Sequence, residues 1–222
     1  MNLPQERHQI TVDQRATTRY PQPSPMLIRV HLTDGSVESF IQEDKAKAEM
    51  IWESIDAMHL FAQPQIVIAG VYSKAVFVPS EVVRIDFIRK DRACWGFPEG
   101  YADVVELSEA DFRKHAHLDE PALMPKREQP TPAGNLLVSF LKLQFRSGSP
   151  IFLMTEFSVK LPAENQSFMR FLLSKTGFHM RLGSGGVAVV NLANLVSYTV
   201  YPGVAQIPGN SWLAEPGITS AP

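Results

Sequence analysis

Arg29 and His31 stand two residues apart in the sequence, and so do Arg84 and Asp86. Side chains alternate between the two faces of an extended strand, so each pair would share one face. Together the four could rim a ligand groove, serving a small-ligand binder or an enzyme. The competing reading is a solvated sheet face, opposite one covered by helix. Which applies depends on the strands that carry them.

Other chemistries find little support. A nucleophilic hydrolase needs Ser or Cys on a sharp turn with a base nearby, and the sequence holds no G-x-S-x-G. Ser147 and Ser184 lie in glycine-containing turns that a hairpin explains. Cys94, the only cysteine, lies among Ala93, Trp95 and Phe97, which predicts a buried thiol rather than a reactive one. No catalytic residue is assigned.

The six histidines form no H-E-x-x-H, and no C-x-x-C occurs. On a helix, His115 and His117 would point about 200° apart and could not share an ion. No metal site and no cofactor are expected. LGSGGV (182–187) lacks the following helix that a phosphate loop requires, since VAVV comes next. It predicts a hairpin turn.

The elements that must position these residues come in two similar sets. TDGS (33–36) and RSGS (146–149) are turn signals whose glycines, Gly35 and Gly148, lie 113 positions apart. The same offset places Ala75 on Ala188, Val76 on Val189, Val82 on Leu195 and Val83 on Val196. It also aligns Ile28 with Leu141 and Val30 with Leu143. The sequence therefore predicts an α+β protein of two tandem β-β-α-β-β-β units, an internal duplication with mainly antiparallel sheets, each covered by one helix.

The units are assigned to 26–90 and 135–201, with an acidic linker over 91–134 and flexible ends over 1–25 and 202–222. In the first unit Ile28, Val30 and Leu32 alternate with polar residues, as a half-buried strand would. Asp34-Gly35 predicts the hairpin turn, and Ala48, Ile51, Trp52, Ile55 and Met58 mark one helix face. In the second unit Phe168, Phe171 and Leu172 would form the equivalent stripe. In the linker, Ser108 with Asp111 three residues on predicts a capped short helix. IRVHLTDGSVESF (28–40) resembles the opening strands of Sm-like barrels over about a dozen residues. Sm-like barrels, however, put their helix before this hairpin, so no RNA binding is carried over.

Charge is uneven. Residues 91–134 hold nine acids against five bases, whereas 135–201 hold six bases against two acids. The linker could therefore lie electrostatically against the second unit. A nucleic-acid surface on that unit would use Lys142, Arg146, Arg170, Lys175 and Arg181, with Phe145 or Phe178 stacking on bases. Against it stands the net charge of −2 for the whole chain.

The 45 % apolar and 20 % charged shares are those of a soluble protein, and one cysteine permits no intrachain disulfide. A cytoplasmic protein without a membrane span is expected. Its function is expected to be a non-enzymatic protein-interaction or regulatory module, with another protein or a second copy of itself, as a homodimer, as partner. Unpaired strand edges would serve that role.

Overall fold

A computed structural model describes residues 25–90, 95–97, 101–123, 136–146, 148–158 and 175–201, and the isolated residues 212 and 214. The chain is a mixed α+β protein with a large, mostly antiparallel sheet and few helices. In chain order the strands are β1 (Met26–Leu32), β2 (Val37–Gln42), β3 (Ile66–Ala69), β4 (Lys74–Phe77), β5 (Val82–Ile88) and β6 (Tyr101–Leu107), followed by β7 (Leu136–Phe145), β8 (Ile151–Ser158), β9 (Gly177–Arg181), β10 (Val187–Asn191) and β11 (Leu195–Tyr201). Nine of these form one sheet in the order β11-β7-β8-β6-β9-β10-β5-β1-β2, and β3 and β4 form a separate hairpin.

Local chemistry sets the turns. Gly35 takes a φ of +85°, as does Gly148, a backbone region that suits a residue without Cβ. Asp34 braces the first turn by accepting from the Ser36 amide at 2.8 Å and its hydroxyl at 2.6 Å. These bonds to the ionised form hold the Asp34 carboxyl below its usual range. LGSGGV is the β9–β10 turn, with Gly185 and Gly186 at positive φ.

The helix expected over EDKAKAEMIWESIDAM (43–58) is broken in two. α1 (Lys45–Glu53) is capped by Asp44, and α2 (Ala57–Leu60) by Asp56, which is extended at φ −134° and accepts from the Met58 amide. This second cap ends the helical run before Met58, which is exposed rather than part of the buried stripe. Ala48 and Trp52 remain the buried face of α1. α3 (Glu109–His115) begins at Ser108 as its capping pattern predicts. The helix expected around Phe168, Phe171 and Leu172, and nearly all of both chain ends, lie outside the described residues.

Strand registers repeat at the 113-residue offset. Ile28 faces Phe87 and Phe40, while Leu141 faces Val200 and Leu153. Both closing strands carry one extra residue at equivalent places. His31 faces Arg84 and Leu32 faces Val82, bypassing Val83; Gln144 faces Ser197 and Phe145 faces Leu195, bypassing Val196. A 3-10 turn precedes each closing strand, Pro79–Glu81 and Leu192–Asn194. The third strands run one residue out of step, because four residues join β3 to β4 and five join β9 to β10.

The two sets differ in where their third and fourth strands go. β9 and β10 stand inside the large sheet, β10 pairing with β5 of the first half. β4 pairs with β3 in a separate hairpin, with no other strand partner among the described residues. Consequently β10 serves two cores. Ala188 and Val190 pack with Leu141, Leu143, Leu153, Phe178 and Met180, whereas Val187 and Val189 pack with Ile28, Val30, Ile85, Phe87 and Trp52. Residues 101–107, part of the expected linker, are strand β6 between β8 and β9. Val104 gives that strand a place in the second core.

Candidate functional site

β1 and β5 are adjacent and antiparallel, and their register sets Arg29 opposite Asp86 and His31 opposite Arg84. Three of the four residues singled out by sequence meet. His31 Nε2 lies 2.8 Å from Asp86 Oδ2, and Arg84 Nη2 donates to the same oxygen at 3.3 Å. Arg84 Nε stands 3.1 Å from Asp86 Oδ1, a charge contact whose geometry misses a hydrogen bond. Arg84 Nη1 also donates to Glu106 on β6. Arg29 is exposed on the same strand and has no described side-chain bond to the cluster.

The Asp86 carboxylate is 2 % exposed, on a sheet face beside Ala188. Taking such a group out of water is costly unless it is paired and hydrogen-bonded; Arg84 supplies the cation and His31 Nε2 a contact at 2.8 Å. Glu106 was not singled out by sequence, because it lay in the segment read as linker. β6 is separated from β5 by β9 and β10 in the sheet order. Arg84 therefore reaches Glu106 across the two intervening strands. The arrangement fixes charges in a ladder, Glu106–Arg84–Asp86–His31, with the partly exposed His31 at its outer end.

A second polar cluster escaped the sequence reading. Arg89, 1 % exposed, pairs with Glu49 of α1 at 2.9 Å and lies 5.9 Å from the Trp52 ring centre. Trp52 meets Trp95 edge-on at 5.3 Å, and Trp95 tilts over His179 at 4.8 Å. Burial holds the His179 imidazole below its ordinary range, opposed by the Asp56 charge and a bond to the Ile55 backbone. Arg89 sits in a charged run, IRKDR, with no periodicity to betray its burial.

The residues proposed for nucleic acid lie on several elements. Lys142 and Arg146 are exposed on and just beyond β7, Lys175 is half-buried before β9, and Arg170 lies outside the described residues. Arg181 is paired with Asp103 of β6, the electrostatic contact anticipated between the acidic segment and the second unit. Phe145 and Phe178, expected to stack on bases, are core residues 3 % and 5 % exposed. Their strands turn them inward among Leu141, Leu143 and Met180, so neither ring can receive a base.

Among the described residues no three His, Cys, Asp or Glu side chains gather as metal ligands, and no helix is long and apolar enough to cross a membrane. His115 stacks on Phe140, and His117 occupies a left-handed turn residue at φ +53°. Cys94 lies outside the described residues.

Apolar side chains are exposed along free strand edges instead. Among the described residues, β2 and β11 end the large sheet and β4 has a strand partner on one side. β2 exposes Val37 and Ile41, the β3–β4 hairpin exposes Val67 and Val76, and β11 exposes Val196 and Tyr198. Comparison with protein families, with curated proteins and with solved structures finds no match to this chain.

Proposed function

We propose that the chain is a non-enzymatic protein-interaction module, a tandem duplication of one β-β-α-β-β-β unit whose unpaired strand edges receive its partner. The observation that carries this reading is the pairing of open backbone edges with exposed apolar side chains at β2, β4 and β11. An unpaired strand offers a row of amide and carbonyl groups to an added strand, and adjacent apolar residues supply the area buried on docking. Matching registers and matching closing-strand bulges at the 113-residue offset support the duplication. In this reading the Glu106–Arg84–Asp86–His31 ladder ties the first unit to β6 and is not a reaction centre.

Capture with the tagged intact chain from its native lysate tests the proposal. A stoichiometric protein partner, lost when Ile41→Asp, Val76→Asp or Tyr198→Asp places a charge on an edge, is the expected result. Recovery of nucleic acid that nuclease treatment abolishes would overturn it and favour the surface around Lys142 and Arg146.

A further inference from the structure

The internal joint between the halves leaves one copy of itself unmade at each end of the chain. β10 pairs with β5, setting Val187, Ala188, Val189 and Val190 against Phe87, Asp86, Ile85 and Arg84. At the 113-residue offset, the counterpart of β10 is β4 and the counterpart of β5 is β11. Among the described residues, β4 has no strand on the edge that β10 gives to β5, and β11 has none on the edge that β5 gives to β10. We propose that β4 of one copy of this chain pairs antiparallel with β11 of another, repeating the internal joint between molecules.

Among the exposed apolar residues are those this joint would cover. Val189, Ile85 and Val83 are 0 %, 1 % and 7 % exposed, the first two facing each other across the internal joint and Val83 reaching the core of the second half. Their counterparts Val76, Tyr198 and Val196 are 50 %, 44 % and 63 % exposed. The repeated register sets Val76 against Tyr198, Ala75 against Thr199, and Lys74 against Val200. Val67, across the hairpin from Val76, would extend the same cover as His179 does beside Val189. One feature of the internal joint is not repeated. Asn191 and Asn194, whose buried amides clamp Val82, have Val78 and Glu81 as counterparts. The intermolecular joint is therefore the weaker of the two and depends on protein concentration.

The contact joins different surfaces of the two copies, so it is head-to-tail and generates a ring or an open chain rather than a two-fold dimer. This inference rests on the interaction-module reading and names the partner as a second copy.

Light scattering on the size-separated intact chain, over a concentration series, should give masses above the 24.8 kDa of one chain and rising with concentration. Val76→Asp and Tyr198→Asp should each give monomers with unchanged circular dichroism, since both positions are exposed within one copy. Mixed together, the two variants should give a 1:1 dimer and nothing larger, because each retains the edge the other has lost. Ile41→Asp, on an edge outside the joint, should assemble like the parent chain. A parent chain that stays monomeric throughout, or a mixture that forms no dimer, overturns the self-pairing. Capture of a different partner, released by the same substitutions, would leave the broader reading standing.

Discussion

Asn191 Nδ2 donates to the Val82 carbonyl at 2.9 Å, a buried bond between residues 109 positions apart. The same amide reaches the Pro79 carbonyl at 2.9 Å, and Asn194 adds a second donor to Val82 at 3.0 Å. These two asparagines, each at most 2 % exposed, tie the 3-10 turn before β11 to the one before β5. They form a buried polar fastening between the halves, to which Thr176 adds a bond to the Met58 carbonyl.

Asn191→Ala should therefore cost about 1–3 kcal/mol, because it strips donors from carbonyls held away from water. Asn191→Asp should cost more, since an acceptor-only carboxylate would face those carbonyls. Urea unfolding of the variants against the parent chain measures both. A loss below about 0.5 kcal/mol for Asn191→Ala, within the scatter of surface substitutions, would show that the fastening is not needed.

The Glu106–Arg84–Asp86–His31 ladder predicts strong non-additivity. Asp86→Ala leaves Arg84 partly buried with one acid fewer and should cost about 3–5 kcal/mol. Replacing both members, Arg84→Met with Asp86→Leu, should restore much of that loss, because the buried carboxylate and its guanidinium leave together and only Glu106, which water reaches, loses a partner. Chemical denaturation of the two singles and the double closes the cycle. Equal and additive losses would sink the ladder as a coupled unit.

Much of the first half was legible in the sequence, and the reason is physical. Ile28, Val30 and Leu32 alternate with polar residues because one face of β1 is buried, and Asp34-Gly35 marks its turn as one of the strongest hairpin dipeptides. Arg84 and Asp86 could be paired with His31 once two strands were recognised. Glu106 could not, since its place depends on β6 joining a sheet whose order is non-local. Arg89 was hidden for a similar reason, as only the approach of α1 and Trp52 makes its burial tolerable. The break at Asp56 was missed because Ile55 and Met58 continue a helical spacing that the cap interrupts.

Gly186 holds a φ of +109°, and a Cβ there would lie 2.3 Å from the Phe87 carbonyl oxygen. Gly186→Ala meets both penalties at once, a conformation that L residues rarely adopt and a clash with backbone of β5. It should cost at least about 1–3 kcal/mol. Gly35→Ala shares the strained φ but meets nothing within 4 Å, so it should cost distinctly less. Thermal unfolding of the two variants compares them directly, and equal shifts would show that contact with β5 contributes nothing.

His179 supplies the pH dependence. Burial between Trp95 and the sheet keeps its imidazole neutral to lower pH than in the unfolded chain, where it titrates near 6.5. Above that pH the ring is neutral in both states and adds no slope. As pH falls below about 6.5 the unfolded chain takes up the proton first, so stability declines until the folded protein is protonated as well. One group gives a slope of at most about 1.4 kcal/mol per pH unit. His179→Gln removes the titration, so the difference in unfolding free energy between parent and variant should shift in the variant's favour as pH falls from 7 toward 5. The subtraction removes the carboxylates, which both proteins share. A difference that stays flat across that range would mean that His179 is as free to charge in the folded protein as in the unfolded chain.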